Sequence, residues 1–244
     1  PSVIAFAASV GKVTLKVSKK IKIAVMSTGT EVIDPAATPK PWQIRDANGP
    51  ALASWASSMG AQVLFLGRAV DDEDLLSDMI SQGLAADILL LSGGVSMGEK
   101  DLIPGLLKSL NVKEVFHNVK IKPGKPIWFG KAKNCFVFGL PGNPVSAQAG
   151  AKLFVEPLLL AVQGVINPKP NWIQLEMGEC FKKRTDREQF VPAKIIDSKL
   201  YPVPLRGSGD FSNLAEAQGM FQVPADIFEL ETGTAVNFMF WRQL

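Results

Sequence analysis

A chain of 244 residues with 47% apolar residues can supply a packed core and falls outside the disordered class. Its 26 Lys and Arg against 23 Asp and Glu leave a net charge of only +3, which weighs against a general nucleic-acid binder with its strong basic face. No uninterrupted apolar run approaches the roughly 18 residues of a bilayer crossing, and "VIAFAASV" is too short and lacks the cationic leader of a signal peptide.

In chain order, residues 1–20 give a short Ala-rich helical piece, Gly11, then "KVTLKV", which alternates like a strand. The chain opens at Pro1 and this segment reads as the remnant of a preceding domain, so a fragment is expected. "IKIAVMS" (21–27) is a buried strand. A long loop with Pro35, Pro39 and Pro41 follows. Asn48 is placed to cap the next helix, "PALASWASSMG", which Pro50 opens and Gly60 ends. "AQVLFLGRAV" is the second strand. Asp71 and Asp72 then open a helix with Leu75, Leu76, Met79 and Ile80 on one face. "DILLL" is the third strand, and Leu102, Ile103, Leu106, Leu107 and Leu110 mark the next amphipathic helix.

"VKEVFHNVKI" reads as one strand, "KPGKP" as a turn, and "IWFG" with "CFVFGL" as a hairpin. "PGNP" leads into the helix "VSAQAGAKLFVEPLLLAVQG". This alternation implies an α/β fold, a three-layer doubly wound and mostly parallel sheet. After "GVINPKP", a linker signal, short runs broken by Pro and Gly read as a small β-barrel-like domain. The expected division is 1–20, 21–163 and 164–244. Cys135 and Cys180 both stand in strand-like runs, so two buried free thiols are expected, with a disulfide the minor reading. A reducing cytoplasm fits.

Open α/β sheets bind ligands beyond the carboxyl ends of their strands. At those ends the sequence puts "STGTE" with Glu31, then Asp71, then "SGGVSMGEKD" with Asp101, then "LPGNP"; Lys122 and Lys125 follow nearby in "KPGKP". Glycines let backbone amides approach an anion. Carboxylates hold Mg²⁺, which bridges to phosphate. Lysines suit a second oxyanion. Singly, each motif has a plainer reading as a turn, a helix start or a solvated surface. Lone His117 reads as packed or surface rather than catalytic, and Arg184, Asp186 and Arg187 as a charged surface turn. Together the strand-end motifs describe a site for a phosphorylated ligand, a metal and another anion.

"STGTE", "SGGVSMGEKD", "KPGKP" and "LPGNPVS", in this order and spacing, resemble the molybdopterin molybdotransferases of the MoeA type, related to the gephyrin E domain. "RGSGDFSNLAEAQG" resembles the family's C-terminal β domain, so the likeness spans residues 13–244. The resemblance implies a molybdopterin-binding α/β domain and an enzyme of molybdenum cofactor biosynthesis. Its substrates would be molybdate and adenylated molybdopterin, its product AMP, its cofactor Mg²⁺. Glu31, Asp71 and Asp101 match the acidic positions around metal and pyrophosphate. Lys122 and Lys125 match the molybdate or terminal-phosphate side. Thr28, Gly29, Ser92, Gly93, Gly94 and Ser96 match phosphate-facing loops. Pro141, Gly142, Asn143 and Pro144 match the turn bordering the pterin pocket, and Ser208 a serine at the site edge. A homodimer is implied, with no nucleic acid and no membrane span. The family usually has Asp where Thr30 stands, and its N-terminal domains are absent from this sequence, so the chain alone is expected to turn over poorly. Two rival readings are a molybdopterin adenylyltransferase-like protein, which the β domain opposes, and a non-catalytic dimeric scaffold of the gephyrin type.

Overall fold

The computed structural model describes residues 1–95, 102–205, 207 and 210–241. The chain begins with α1 (Ser2–Ser9), whose Val3, Ile4 and Phe6 are exposed. Residues 12–17 are not the strand their alternation suggests. Val13 is 95% exposed there; with no neighbouring strand among the described residues to take its hydrogen bonds, an alternating pattern alone does not make a ladder.

β1 (Lys22–Thr28) is buried from Ile23 onward. β2 (Val32–Ile33) and β3 (Ile44–Arg45) pair across the Pro-rich loop. α2 (Asn48–Ser58) leads to β4 (Gln62–Ala69), α3 (Glu73–Gly83) to β5 (Ile88–Ser92), and α4 (Leu102–Ser109) to β6 (Lys113–His117). β7 (Ile121–Lys122), β8 (Trp128–Lys131) and β9 (Phe136–Leu140) follow. Six strands form one sheet in the order β4-β1-β5-β9-β8-β6. β4, β1, β5 and β9 run parallel, while β8 and β6 add an antiparallel margin. Helices cover both faces: Leu76, Ile80, Ile103 and Leu107 pack on one, and Leu52, Ala56, Val155 and Leu159 on the other. This is the expected three-layer, mostly parallel α/β arrangement.

One expected strand is divided in two. Asn118 takes φ +68, a left-handed backbone that an extended strand cannot contain but that Asn tolerates. The chain therefore leaves the first sheet after His117, and β7 pairs in parallel with a strand of the second sheet.

α5 (Pro144–Gly150), a π-helical turn (Ala151–Val155) and α6 (Glu156–Val162) form one continuous helix. Pro157 explains the wide turn: proline has no N–H to donate and its ring would crowd the carbonyl four residues earlier. This helix is long and apolar enough to cross a membrane by length and composition, with mean hydropathy 1.3. More than half of it is buried in the protein, where Ala147, Ala151, Val155 and Leu159 face the sheet. Length alone passes many core helices, and the uninterrupted apolar run sought in the sequence is broken by Lys152 and Glu156.

The second sheet contains β10 (Ile173–Met177), β12 (Glu188–Ile196), β13 (Lys199–Pro202), β14 (Gly219–Val223) and β16 (Ala235–Phe240), with β11 (Phe181–Lys182) and β15 (Glu229–Leu230) as a separate pair. α7 (Phe211–Glu216) lies between β13 and β14. The order β13-β10-β16-β14-β12 closes because β12 also pairs with β13. The result is the expected barrel-like unit, filled by Met177, Leu200, Phe221 and Phe238. Buried Lys183 donates to the carbonyls of Pro224 and Ala225, the latter at 2.9 Å, and its ammonium lies 5.0 Å from the centre of the Phe228 ring. Ile121 and Ile127 pack with Phe190, Met220 and Met239, joining the two sheets through an apolar seam.

Both cysteines are free, but only Cys135 is buried; Cys180 is exposed. It lies just after the bend that follows β10 and just before the short β11, outside any strand.

Candidate functional site at the strand ends

Register fixes which residues share an edge. Thr28 is opposite Ala69, Ser27 is opposite Ser92, and Ser92 is opposite Leu140. β8 runs backwards, so Trp128 at its start faces Gly139, and His117 faces Trp128. The carboxyl ends of β1, β4, β5 and β9 therefore share one edge with the end of β6 and the turn that enters β8. Thr28, Gly29, Ser92, Gly93, Gly94 and Pro141 follow directly from these strand ends. Asp71 lies two residues beyond β4, and Lys122 and Lys125 lie in the segment leading into β8.

The glycines at this edge are required by contact and conformation. Gly93 has φ +95, and a Cβ there would be 2.5 Å from Thr28 O. Gly94 has φ +62, and its Cβ would be 2.9 Å from Thr28 Oγ1. The Thr28 hydroxyl is buried and meets no partner among the described residues, so two glycines leave space beside an unsatisfied donor. Gly93 N–H donates to Leu140 O at 3.0 Å, and a Cβ on Gly142 would lie 3.7 Å from Gly93 Cα. The "SGG" and "PGNP" segments are thus neighbours. Asn143 caps α5 by accepting from Val145 N–H, with Pro144 in the first turn.

Asn48 does something other than cap its helix. Its Nδ2 donates to Ser92 Oγ and to Gly142 O, each at 2.8 Å. The capping contact comes from Asp46, whose buried carboxylate accepts from Gly49 N–H and Ser27 Oγ–H, both at 2.9 Å. A Cβ on Gly49 would come within 2.5 Å of Asp46 Oδ2. The Asp-Ala-Asn-Gly run carried this signal, an acid three residues before a helix glycine, but sequence alone pointed to Asn48.

The acidic residues differ in their engagement. Thr30 donates from both its N–H and its hydroxyl to Asp71 Oδ2, at 3.1 and 2.8 Å. Asp72, not Asp71, caps α3 by accepting from Leu75 N–H at 2.9 Å. Glu31 is exposed and folds back over Gly29, its carboxylate 2.8 Å from where a Cβ on that glycine would be. Lys122 is half-buried and paired in register with Gln189; Lys125 is exposed. Neither lysine forms an ion pair among the described residues. Asp101, Ser96 and Ser208 lie outside the described residues.

His117 was read as packed or surface, and it is half-buried. Its Nε2 lies 3.1 Å from Val95 O. A carbonyl only accepts, so Nε2 carries the proton. Arg187, read as surface, is half-buried and donates to Ile121 O at 3.0 Å, tying the start of β12 to β7.

No group of three or more His, Cys, Asp or Glu among the described residues forms a ready metal cage. Mg²⁺ does not need one: it is commonly held by one or two carboxylates with substrate phosphates. Exposed Glu31, Asp71 and the glycine-lined space beside Thr28 fit that mode.

The probable molybdopterin binding domain family model matches residues 24–161. The chain belongs to that family. A second model, the MoeA C-terminal region (domain IV), matches residues 174–241. Among curated relatives, the molybdopterin molybdenumtransferase of Synechococcus elongatus is 32% identical over 97% of this chain and 60% of its own length. That of Synechocystis is 30% identical over 96% of this chain and 59% of its own length. The solved structure of the molybdopterin biosynthesis moea protein from Pyrococcus horikosii superposes with a TM-score of 0.86 at 32% identity, over 98% of this chain and 59% of that one. The chain thus spans about three-fifths of the length of these relatives. The superposition on the Pyrococcus horikosii structure covers both sheets, while the matching family model ends at Ala161, before the barrel.

Proposed function

We propose that this chain carries the substrate-binding edge of a molybdopterin molybdotransferase, which inserts molybdate into adenylated molybdopterin and releases AMP. The observation that supports it most is the contact between Gly93, Gly142 and the buried Thr28 hydroxyl, tied together by Asn48 at the carboxyl ends of the strands. The curated relatives from Synechocystis and Synechococcus elongatus are molybdopterin molybdenumtransferases, which agrees with it.

In this reading the Ser92-Gly93-Gly94 backbone and Thr28 face the phosphates, with Gly29 beside them; the family resemblance assigns Ser96 to the same role. Pro141, Gly142, Asn143 and Pro144 border the pterin. Lys122 and Lys125 hold molybdate in place through charge. Glu31 and Asp71, with Asp101, would hold Mg²⁺, which when bound offsets phosphate charge. Thr30 keeps Asp71 oriented by occupying Oδ2 and leaving Oδ1 for the ion. The family resemblance assigns Ser208 to the same site. Residues 21–163 act as the pterin-binding unit and 164–244 as its C-terminal companion. Exposed Val3, Ile4 and Phe6 fit an apolar contact in a homodimer, working in the cytoplasm.

The test is AMP release from adenylated molybdopterin with and without molybdate, in a protein extended to the relatives' full length. Asp71→Asn and Lys122→Ala should each slow molybdate-dependent release at least about tenfold, the scale of one lost charge contact in the transition state. Release that ignores molybdate, or that both variants leave unchanged, would overturn the reading.

A further inference from the structure

One row of residues crosses four strands close to the strand-end edge. Leu91 of β5 is opposite Gly139 of β9, Gly139 is opposite Trp128 of β8, and Trp128 is opposite His117 of β6. At about 4.8 Å per step, His117 stands roughly 14 Å from Leu91. The chain leaving β5 and the imidazole together bridge that gap, because His117 Nε2–H donates to Val95 O at 3.1 Å.

Gly139 makes the crossing possible. A Cβ there would lie 2.4 Å from Val95 Cγ1 and 3.2 Å from Trp128 Cβ. Trp128 keeps clear by lying back along its own strand. Its ring covers Gly130, where a Cβ would come within 2.2 Å, and its indole donates to Glu114 Oε2 at 2.7 Å. Val95 is 3% exposed, so packing holds its side chain while the imidazole holds its carbonyl. On the other side of His117 the lysine turn begins. Asn118 N–H donates to Ile127 O at 3.0 Å and Val119 N–H to Lys125 O at 2.9 Å, which closes the base of the turn that carries Lys122 and Lys125. The imidazole thus ties the chain after the glycine pair to the foot of the lysine turn.

We propose that His117 is a positioning residue that sets the spacing between two anion-facing segments, residues 93–95 and residues 122–125. This rests on the reading of the edge given above, in which the first segment faces phosphate and the second molybdate. His117 acts through the Val95 carbonyl and touches neither anion. Reactants held in register react faster, and a displacement of about 1 Å can cost on the order of a hundredfold in rate. Without the imidazole, each anion keeps its own contacts, while the two segments lose the bond that fixes them to one another.

The clamp is tested first without reference to any reaction. His117 is the only histidine among the 244 residues, so the imidazole signals of the ¹⁵N-labelled chain belong to it alone. Long-range ¹H–¹⁵N spectra at mildly alkaline pH should show the Nε2–H tautomer, with its proton protected from solvent exchange. An Nδ1–H tautomer, or a freely exchanging ring, would overturn the clamp. Its consequence is tested by molybdate-dependent AMP release in the protein extended to the relatives' full length, with circular dichroism to check that each variant folds. His117→Leu should lower kcat at least about tenfold while KM for molybdate stays within about threefold. His117→Gln, whose amide can still donate, should recover most of kcat. A raised KM with unchanged kcat, or Leu and Gln variants that behave alike, would overturn the positioning role. A protected Nε2–H in a wild-type protein that releases no AMP would overturn the reaction proposed above and leave the clamp standing.

Discussion

Asn48 and Ser92 are joined by a 2.8 Å hydrogen bond that runs from the first residue of α2 to the last residue of β5. Because the same amide also donates to Gly142 O, one side chain holds the helix start, the glycine loop and the "PGNP" turn together. Replacing it should loosen the edge that the proposed substrate occupies. Asn48→Ala is expected to cost about 1–3 kcal/mol, the range for leaving a buried group such as the Ser92 hydroxyl unmet, while water can reach exposed Gly142. Asn48→Asp should be worse, since a carboxylate cannot donate to the Gly142 carbonyl and repels it. Urea denaturation of the three proteins measures the order; equal stability of wild type and Asn48→Asp would contradict it.

Gly93→Ala should destabilise the chain more than Gly60→Ala. Both glycines have positive φ, at +95 and +80, but a Cβ at Gly60 meets nothing within 4 Å while one at Gly93 meets the Thr28 carbonyl at 2.5 Å. The shared backbone strain is about 1–3 kcal/mol; only Gly93 adds displacement of β1. Thermal unfolding of the two variants separates strain from collision.

Asp87 should make stability depend on acid pH. Burial pushes its carboxyl up, but the Lys19 ammonium at 2.7 Å, the Lys22 N–H at 2.8 Å and both lysine charges outweigh burial and hold it below the ordinary value. A carboxylate depressed in the folded state contributes stability above its unfolded pKa of about 3.9, and that contribution is lost as pH falls through the folded value. Asp87→Asn should therefore lower the urea midpoint at pH 7, and the gap to wild type should close at acid pH below the folded value. A gap that persists unchanged there would rule out the ionised form as its source.

The two thiols should react on different terms. Desolvation pushes Cys135 up to about 12, so it should resist iodoacetamide at pH 8 until the protein unfolds. Cys180 is exposed; its thiol is raised first by its 3.3 Å hydrogen bond to Glu229, then by slight desolvation and by the Glu229 charge. Glu229→Gln removes that charge and should speed Cys180 alkylation at fixed pH. Mass spectrometry of timed samples gives both rates. Slower labelling in the variant would reverse the assigned cause.

The sequence by itself determined the elements and the edge. The apolar runs of β1, β5 and β9 and the facing residues of α3 and α4 follow local periodicity, and a parallel α/β sheet puts strand-end motifs on one side. Periodicity also exposed the barrel's short strands. What tertiary structure alone decided depends on partners distant in the chain. "KVTLKV" alternates but pairs with no strand among the described residues. The run through Asn118 looked continuous, yet a left-handed residue sends its two halves into different sheets. Asn48 fits a cap by position, but its amide is drawn to Ser92 and Gly142, 44 and 94 residues away, while Asp46 takes the capping role. Cys180 reads as buried because strand-like runs usually are, but it falls in the connection between β10 and β11 and is exposed. Local pattern specifies which face of an element is apolar; only packing specifies what that face, or a polar side chain beside it, will meet.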